Sequence, residues 1–280
     1  MRVERCADAG EFLAATASLR AEEPVVTNVI GSVAALVASG ARVYEDCHWW
    51  VVGDAAGPVA LAMRTVPHPL VLAGAPAAAA ALADAVAAAD PGLPAVSGPP
   101  GAAGAFAGAF SARTGRVARE GREEVLYVAD AVESPPVEGC ALSATASDEE
   151  LLQAWHREFF AEVDLPGPGE DAVRGQIEAG ALLVWRVDGE PVAMAGHSAA
   201  VAVASGTLVR VGPVYTPPPR RSRGYAAAVT ATMTARLLAA GHRVMLYADA
   251  ANATSNGVYR RIGYREVGRV VHVEFAGTAP

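Results

Sequence analysis

The sequence predicts an α/β (α+β) protein of two similar halves, each a mixed central β-sheet flanked by helices. Short apolar runs of strand length alternate with longer, alanine-rich helical runs along the chain. The same rhythm of helices, short strands, then helices and strands again occurs twice. Between the two, Glu133-Ser-Pro-Pro-Val-Glu-Gly139 interrupts regular structure with prolines and polar residues, as a linker does. The expected division is 1–132 for a first domain, 133–139 for the linker and 140–280 for a second domain. A chain of 280 residues, 52% of them hydrophobic, holds enough apolar material to give each half a core.

In the first half, 9–19 and 25–38 read as helices. Trp49-Trp-Val-Val52, Val59-Ala-Leu-Ala-Met63 and Leu70-Val-Leu72 read as strands, separated by Gly and Pro turns. Helices are expected at 77–89 and 104–112, with strand-like Pro94-Ala-Val-Ser97 between them. Glu124-Val-Leu-Tyr-Val128 makes a last strand. In the second half, Ser147-Asp-Glu-Glu150 resembles a capping box. It opens a helix that carries Leu151, Leu152, Trp155 and Phe159 on one face, a core stripe by spacing. A second helix is expected near 170–178. Strands at 182–187 and 191–202 form a hairpin around Asp188-Gly189, a strong two-residue turn signal. A strand at 207–216, a helix at 224–240, a strand at 244–247, a helix at 255–262 and a strand at 267–275 complete the reading.

Composition narrows the function. The net charge of −8 argues against a nucleic-acid partner, which calls for a basic excess. Cys6, Cys47 and Cys140 are scattered, with neither disulfide-scaffold nor metal-ligand spacing, which fits a reducing compartment and no metal. The most apolar stretch, 76–89, is broken by Asp84 and is too short to cross a bilayer, and no signal-peptide pattern opens the chain. A cytoplasmic protein without a membrane partner is expected.

The chemistry lies in Val214-Tyr-Thr-Pro-Pro-Pro-Arg-Arg-Ser-Arg-Gly-Tyr-Ala226. A strand ends, prolines block its continuation, and a basic turn leads into a long helix. The helix start presents unpaired N–H groups and about half a positive charge, which suits a pyrophosphate. Gly224 permits close backbone approach, and Arg221 and Arg223 add charge-assisted bonds. No Gly-Lys-Ser/Thr follows, so this is not a P-loop, and the Gly-x-Gly-x-x-Gly of a dinucleotide fold is absent.

Here the sequence resembles the GNAT family of N-acetyltransferases, in a tandem arrangement with a degenerate N-terminal half. Arg221-Ser-Arg-Gly224-Tyr-Ala226 matches the family's Gln/Arg-x-x-Gly-x-Gly/Ala signature. The resemblance implies acetyl-CoA as cosubstrate. It places the pyrophosphate on the backbone of Arg221, Ser222, Arg223, Gly224, Tyr225 and Ala226. The pantetheine arm would pair with the main chain of Val214, Tyr215 and Thr216. The segment from Leu246 to Tyr264 looks like the family's distal CoA motif, with Asn252 and Asn256 at its CoA-contacting positions. Tyr259 falls where many members keep the tyrosine that protonates the departing thiolate. The resemblance spans about 138–275. In the first half, Leu70-Val-Leu72 leads through Ala-Gly-Ala-Pro into a helix without an arginine, so that half is expected to be structural or to shape the substrate cleft.

The implied reaction moves an acetyl group to an amine. Its rivals are a non-catalytic CoA-binding regulator, a protein-interaction module built on the first half, and a transferase using a longer acyl-CoA. Two features depart from the family pattern: Ser222 often is glycine there, and Pro219 often is polar. No acidic residue lies in 207–216, where many relatives keep a base. His197, Glu158, Glu162 and Asp164 are the other titratable groups near the expected acceptor region, and the base stays unassigned. The structural alternatives are a packed aromatic for Tyr259, a solvated face for Arg260, Arg261 and Arg265, and an exposed proline-rich ligand for Pro217–Arg221. Asn252-Ala-Thr254 matches a glycosylation sequon by chance.

Overall fold

The computed structural model describes residues 1–164, 167, 169, 171–203 and 206–278. The first half runs β1 (Arg2–Cys6), α1 (Ala9–Ala15), α2 (Ala17–Glu22), α3 (Asn28–Ala38), β2 (Cys47–Asp54), β3 (Gly57–Thr65), β4 (Leu70–Gly74), α4 (Pro76–Ala89), β5 (Ala95–Gly98), α5 (Pro100–Thr114) and β6 (Arg116–Ala129). The second runs β7 (Cys140–Ser143), α6 (Glu149–Glu162), α7 (Ala172–Glu178), β8 (Leu182–Val187), β9 (Glu190–His197), β10 (Val201–Val203), β11 (Gly206–Tyr215), α8 (Tyr225–Ala239), β12 (His242–Asp249), α9 (Ala253–Arg261) and β13 (Arg265–Thr278).

The strands form one sheet in the order β1-β2-β3-β4-β5-β13-β6-β12-β11-β9-β8-β7, with β10 paired to β11 outside that path. The order is symmetric about its centre. On one side, β4 and β5 are parallel and β5 is followed by antiparallel β13. On the other, β11 and β12 are parallel and β12 is followed by antiparallel β6. Each half therefore receives a long strand from the other. Val273 and Phe275 of β13 pack into the apolar cluster under α4 and α5. Val125, Tyr127 and Ala129 of β6 pack into the cluster under α8. Burying Phe275 in that position contributes about 1.5–3 kcal/mol, so the exchange is part of both cores.

Helices cover both faces, as the expected α/β architecture requires. α1 to α3 hold a separate apolar cluster with Trp49, Leu61 and Met63, and α6 and α7 close over Leu182, Val184, Met194 and Tyr215. No helix among the described residues is long and apolar enough to cross a membrane.

Several boundaries differ from the sequence expectation for local reasons. Residues 9–19 are not one helix: Asp8 caps α1, and the chain breaks at Thr16, whose Oγ1 donates to Phe12 O. The helix expected from residue 25 starts at Asn28. The capping box lies two residues early, with Thr145 as cap and Asp148 as its partner, so Ser147 and Glu150 do not form it. The hairpin at Asp188-Gly189 has left-handed φ values of 50° and 82°, as that turn signal predicts. β6 begins at Arg116, eight residues before the expected strand, because its polar first half faces solvent and carries no apolar alternation. The strand expected at 191–202 is two, β9 and β10. Glu170, expected to start the second helix, lies outside the described residues.

Candidate active site

The parallel pair β11–β12 opens into a wedge. It is paired only from Thr207 opposite His242 to Arg210 opposite Met245. Beyond that point β12 stays with β6 as far as Asp249 opposite Glu124, while β11 follows β9. The register of β11 on β9 shifts between Val211 and Val214, where Gly212 has a φ of 146°. A bulge of this kind bends one strand away from its neighbour. The edge of β11 at 211–215 that faces β12 is left without a strand partner. Unpaired main-chain groups on such an edge bind an extended ligand by strand addition.

At the mouth of the wedge, β11 runs through Thr216 and a 3-10 turn at Pro218–Arg220 into α8. Ser222 and Gly224 both have left-handed φ values, 62° and 84°. The backbone N–H groups of Ser222 to Ala227 find no hydrogen-bond acceptor among the described residues. Successive N–H groups in such a turn, at the start of a fifteen-residue helix, form an anion-binding concavity. The turn is solvent-exposed from Arg221 to Gly224. Tyr225 is different: its side chain is buried in the core under α8, and only its main chain faces the turn.

The arginines divide. Arg223 is exposed, with no hydrogen bond or ion pair among the described residues. Arg221 is turned back along the strand. Its Nε donates to Thr216 O at 2.8 Å, its guanidinium lies 5.7 Å over the Tyr215 ring, and it pairs with Glu162 of α6. Tyr215 in turn donates from its hydroxyl to Glu158 Oε2 at 2.7 Å. Burial, and then that bond to Glu158, push the Tyr215 phenol up to about 12. Sequence reasoning missed this Glu158–Tyr215–Arg221–Glu162 chain, which locks α6 to the wedge.

On the far side of the wedge stands α9. Asn252 caps it, accepting from Ser255 N at 3.0 Å, and is exposed. Asn256 is 4% exposed and its amide is engaged within the protein. Its Nδ2 donates to Asp249 O at 2.7 Å and Asn252 O at 2.8 Å, and its Oδ1 accepts from the Tyr127 hydroxyl at 3.0 Å. Asn256 thereby ties the end of β12 to α9 and to β6. Asn256→Ala is expected to lower stability by about 2–4 kcal/mol, because buried groups lose their partners. Urea denaturation checks this, and a change below 1 kcal/mol would remove the clamp role.

Tyr259 is half-buried against the core under α8, between the rings of Tyr127 (6.2 Å) and Tyr264 (6.0 Å). Its hydroxyl has no hydrogen-bond partner among the described residues, and burial pushes the phenol up to about 12. His197 is part-buried, with Nδ1 against the carbonyl of Ser198 at 2.8 Å, a local structural bond. Arg260 reaches inward to the Tyr127 hydroxyl at 3.2 Å, while Arg265 pairs with Asp130. His156 of α6, which sequence reasoning passed over, is 5% exposed with both ring nitrogens unpaired, and burial lowers it to about 4.

Comparison with known proteins agrees with this geometry. Residues 189–273, which contain the wedge, the turn and α9, match the family model described as FR47-like protein. No curated protein matches the sequence. Among solved structures, the chain is similar to an acetyltransferase of the GNAT family from Colwellia psychrerythraea. The TM-score is 0.61 at 11% identity, with 99% of this chain and 100% of that chain covered. A GCN5-related N-acetyltransferase from Sphaerobacter thermophilus gives 0.61 at 16% identity, over 98% of this chain and 95% of the other. A tandem GNAT protein from the clavulanic acid biosynthesis pathway gives 0.58 at 12% identity, with both chains fully covered. The expected resemblance is borne out, and the chain has the GNAT acetyltransferase fold, two units in tandem.

Proposed function

We propose that this chain, with the tandem GNAT fold as premise, transfers an acetyl group from acetyl-CoA to a primary amine by direct attack in a ternary complex. The observation that carries the reading is the run of unbonded N–H groups from Ser222 to Ala227, placed where β11 and β12 part. We assign the donor site to the second domain, 140–280, with 1–132 and the linker 133–139 supporting it. The diphosphate is held by the backbone of Ser222, Arg223, Gly224, Tyr225 and Ala226; the N–H of Arg221, expected among them from the sequence, already donates to Pro218 O at 3.3 Å. The pantetheine arm runs along the main chain of Val214, Tyr215 and Thr216. Asn252, exposed at the start of α9, meets the cofactor from the other side, and Asn256 holds that helix in place.

The amine lone pair forms the new N–C bond at the thioester carbonyl, whose oxygen becomes an oxyanion stabilised by main-chain N–H near Val214. The cationic nitrogen of the adduct gives its extra proton to solvent at the mouth of the wedge, the C–S bond breaks, and sulfur leaves with the electron pair. Tyr259 keeps its proton throughout the working range, because its phenol is raised to about 12. It donates to the departing sulfur; against a thiolate of ordinary affinity, about 8.5, a hydrogen bond is favoured over complete transfer. Alignment of the two substrates supplies much of the remaining acceleration.

Arg221 tests the phosphate assignment. Its exposed pair with Glu162 contributes about 0–1 kcal/mol, less than a charge-assisted bond to a diphosphate. Arg221→Ala is therefore expected to weaken acetyl-CoA binding about tenfold by calorimetry, and unaltered affinity would leave the task to the backbone alone.

A second reading, a CoA-binding regulator without turnover, draws support from the packing of Tyr259 between two tyrosines. Thioester cleavage assayed with an amine panel separates the two. Comparing acetyl-CoA with longer acyl-CoA in the same assay fixes the donor.

A further inference from the structure

On the sheet face opposite α8, alternation places Glu124, Leu126 and Val128 of β6 beside Met245 and Tyr247 of β12 and Leu208 and Arg210 of β11. Val128, Leu208 and Met245 form a small apolar cluster with Val25 and Val203. Toward the opening of the wedge this face turns polar. Arg210 is the last residue of β11 paired to β12, so it stands at the apex.

Asn28, the first residue of α3, reaches this apex from the first half. Arg210 Nη1 donates to Asn28 Oδ1 at 2.9 Å, and the guanidinium lies 5.9 Å over the Tyr247 ring. A guanidinium has only donors, so this bond fixes the amide orientation. Asn28 is 1% exposed, and its Nδ2 is buried without an acceptor. Arg210 has no carboxylate within ion-pair distance among the described residues, and burial presses on its charge, with Tyr247 and Glu124 acting in the opposite direction. A buried amide donor without an acceptor, beside a guanidinium without a carboxylate, is a costly arrangement that an anionic group relieves. Glu124 lies on the same face, two strands away. Burial raises its carboxyl, while Arg122 and Arg210 lower it and Asp249 raises it. Glu124 and Arg210 thus share one face of the sheet, with no ion pair between them among the described residues.

We propose that the acceptor is a small amino carboxylate. Its carboxylate is taken by Arg210 and Asn28 Nδ2, and its ammonium is turned toward Glu124 before deprotonation. This rests on the acyl-transfer reading and goes further by naming the substrate class. It also gives the first half, through Asn28, a direct part in acceptor choice.

The test compares each standard amino acid with its own carboxamide, which keeps the amine and removes the anion. Two readouts are taken on the full chain: kcat/KM with acetyl-CoA, and the melting shift in the presence of CoA. At least one amino acid is expected to exceed its carboxamide about 10- to 100-fold in kcat/KM and to raise the melting temperature where the carboxamide does not. Asn28→Asp, which supplies Arg210 with an internal carboxylate, is expected to erase that preference. Arg210→Met should do the same, with acetyl-CoA affinity unchanged in both. If acids and amides behave alike in both readouts while acetyl-CoA binds by calorimetry, the amino-carboxylate assignment is wrong and the donor reading stands. If acetyl-CoA itself fails to bind, the donor reading falls first.

Discussion

Replacing Tyr259 by phenylalanine is expected to lower kcat about 100- to 1000-fold, with acetyl-CoA affinity within about twofold of the parent. The substitution removes one oxygen and leaves the ring between Tyr127 and Tyr264, so packing under α8 is retained. That oxygen has no partner among the described residues, which makes its removal nearly free of structural cost. Any loss of turnover therefore reports on the reaction, where the departing sulfur needs a donor. Steady-state kinetics with calorimetry in parallel decide the matter. An unchanged kcat would remove Tyr259 from the mechanism and leave it a packed aromatic.

The second large effect is expected at Gly224. Its φ of 84° lies in the left-handed region, and a Cβ there would stand 2.9 Å from Val137 Cγ2. Gly224→Val must either hold a β-branched residue in that conformation, at about 1–2 kcal/mol, or shift the turn away from Val137. A shifted turn misaims the N–H groups of Ser222 to Ala227. Losing two charge-assisted bonds raises the dissociation constant for acetyl-CoA about 100-fold or more. Gly241, with a φ of 83° and open space around it, is the control. Gly241→Val carries similar backbone strain beyond the far end of α8 and should lower the melting temperature without changing acetyl-CoA affinity. Equal loss of affinity in both variants would mean that α8 was simply destabilised.

What sequence reasoning recovered was written locally. The turn after β11 is punctuated by prolines, arginines and Gly224 within a few residues, and the hairpin at Asp188-Gly189 is encoded in two. Side-chain destinations were not local. Arg221 is drawn to Glu162, 59 positions earlier, and Asn256 meets Tyr127 across 129. Arg210 sits between Val209 and Val211 and reads as an interruption of a strand until Asn28 is seen beside it. Strand exchange was invisible for the same reason. The polar first half of β6 has no alternation to read, and its pairing with β13 joins Arg116 to Thr278.

That exchange governs how the protein is made. Vectorial synthesis delivers β5 long before residues 265–278 leave the ribosome, so the first unit waits with an open sheet edge until nearly all of the described chain exists. Meanwhile β6 is available early and is handed to a partner, β12, that appears over a hundred residues later. Contacts of such sequence separation slow folding and leave unpaired edges exposed. A chaperone that shields nascent strand edges should therefore raise the yield of this protein more than that of a variant whose two units each complete their own sheet.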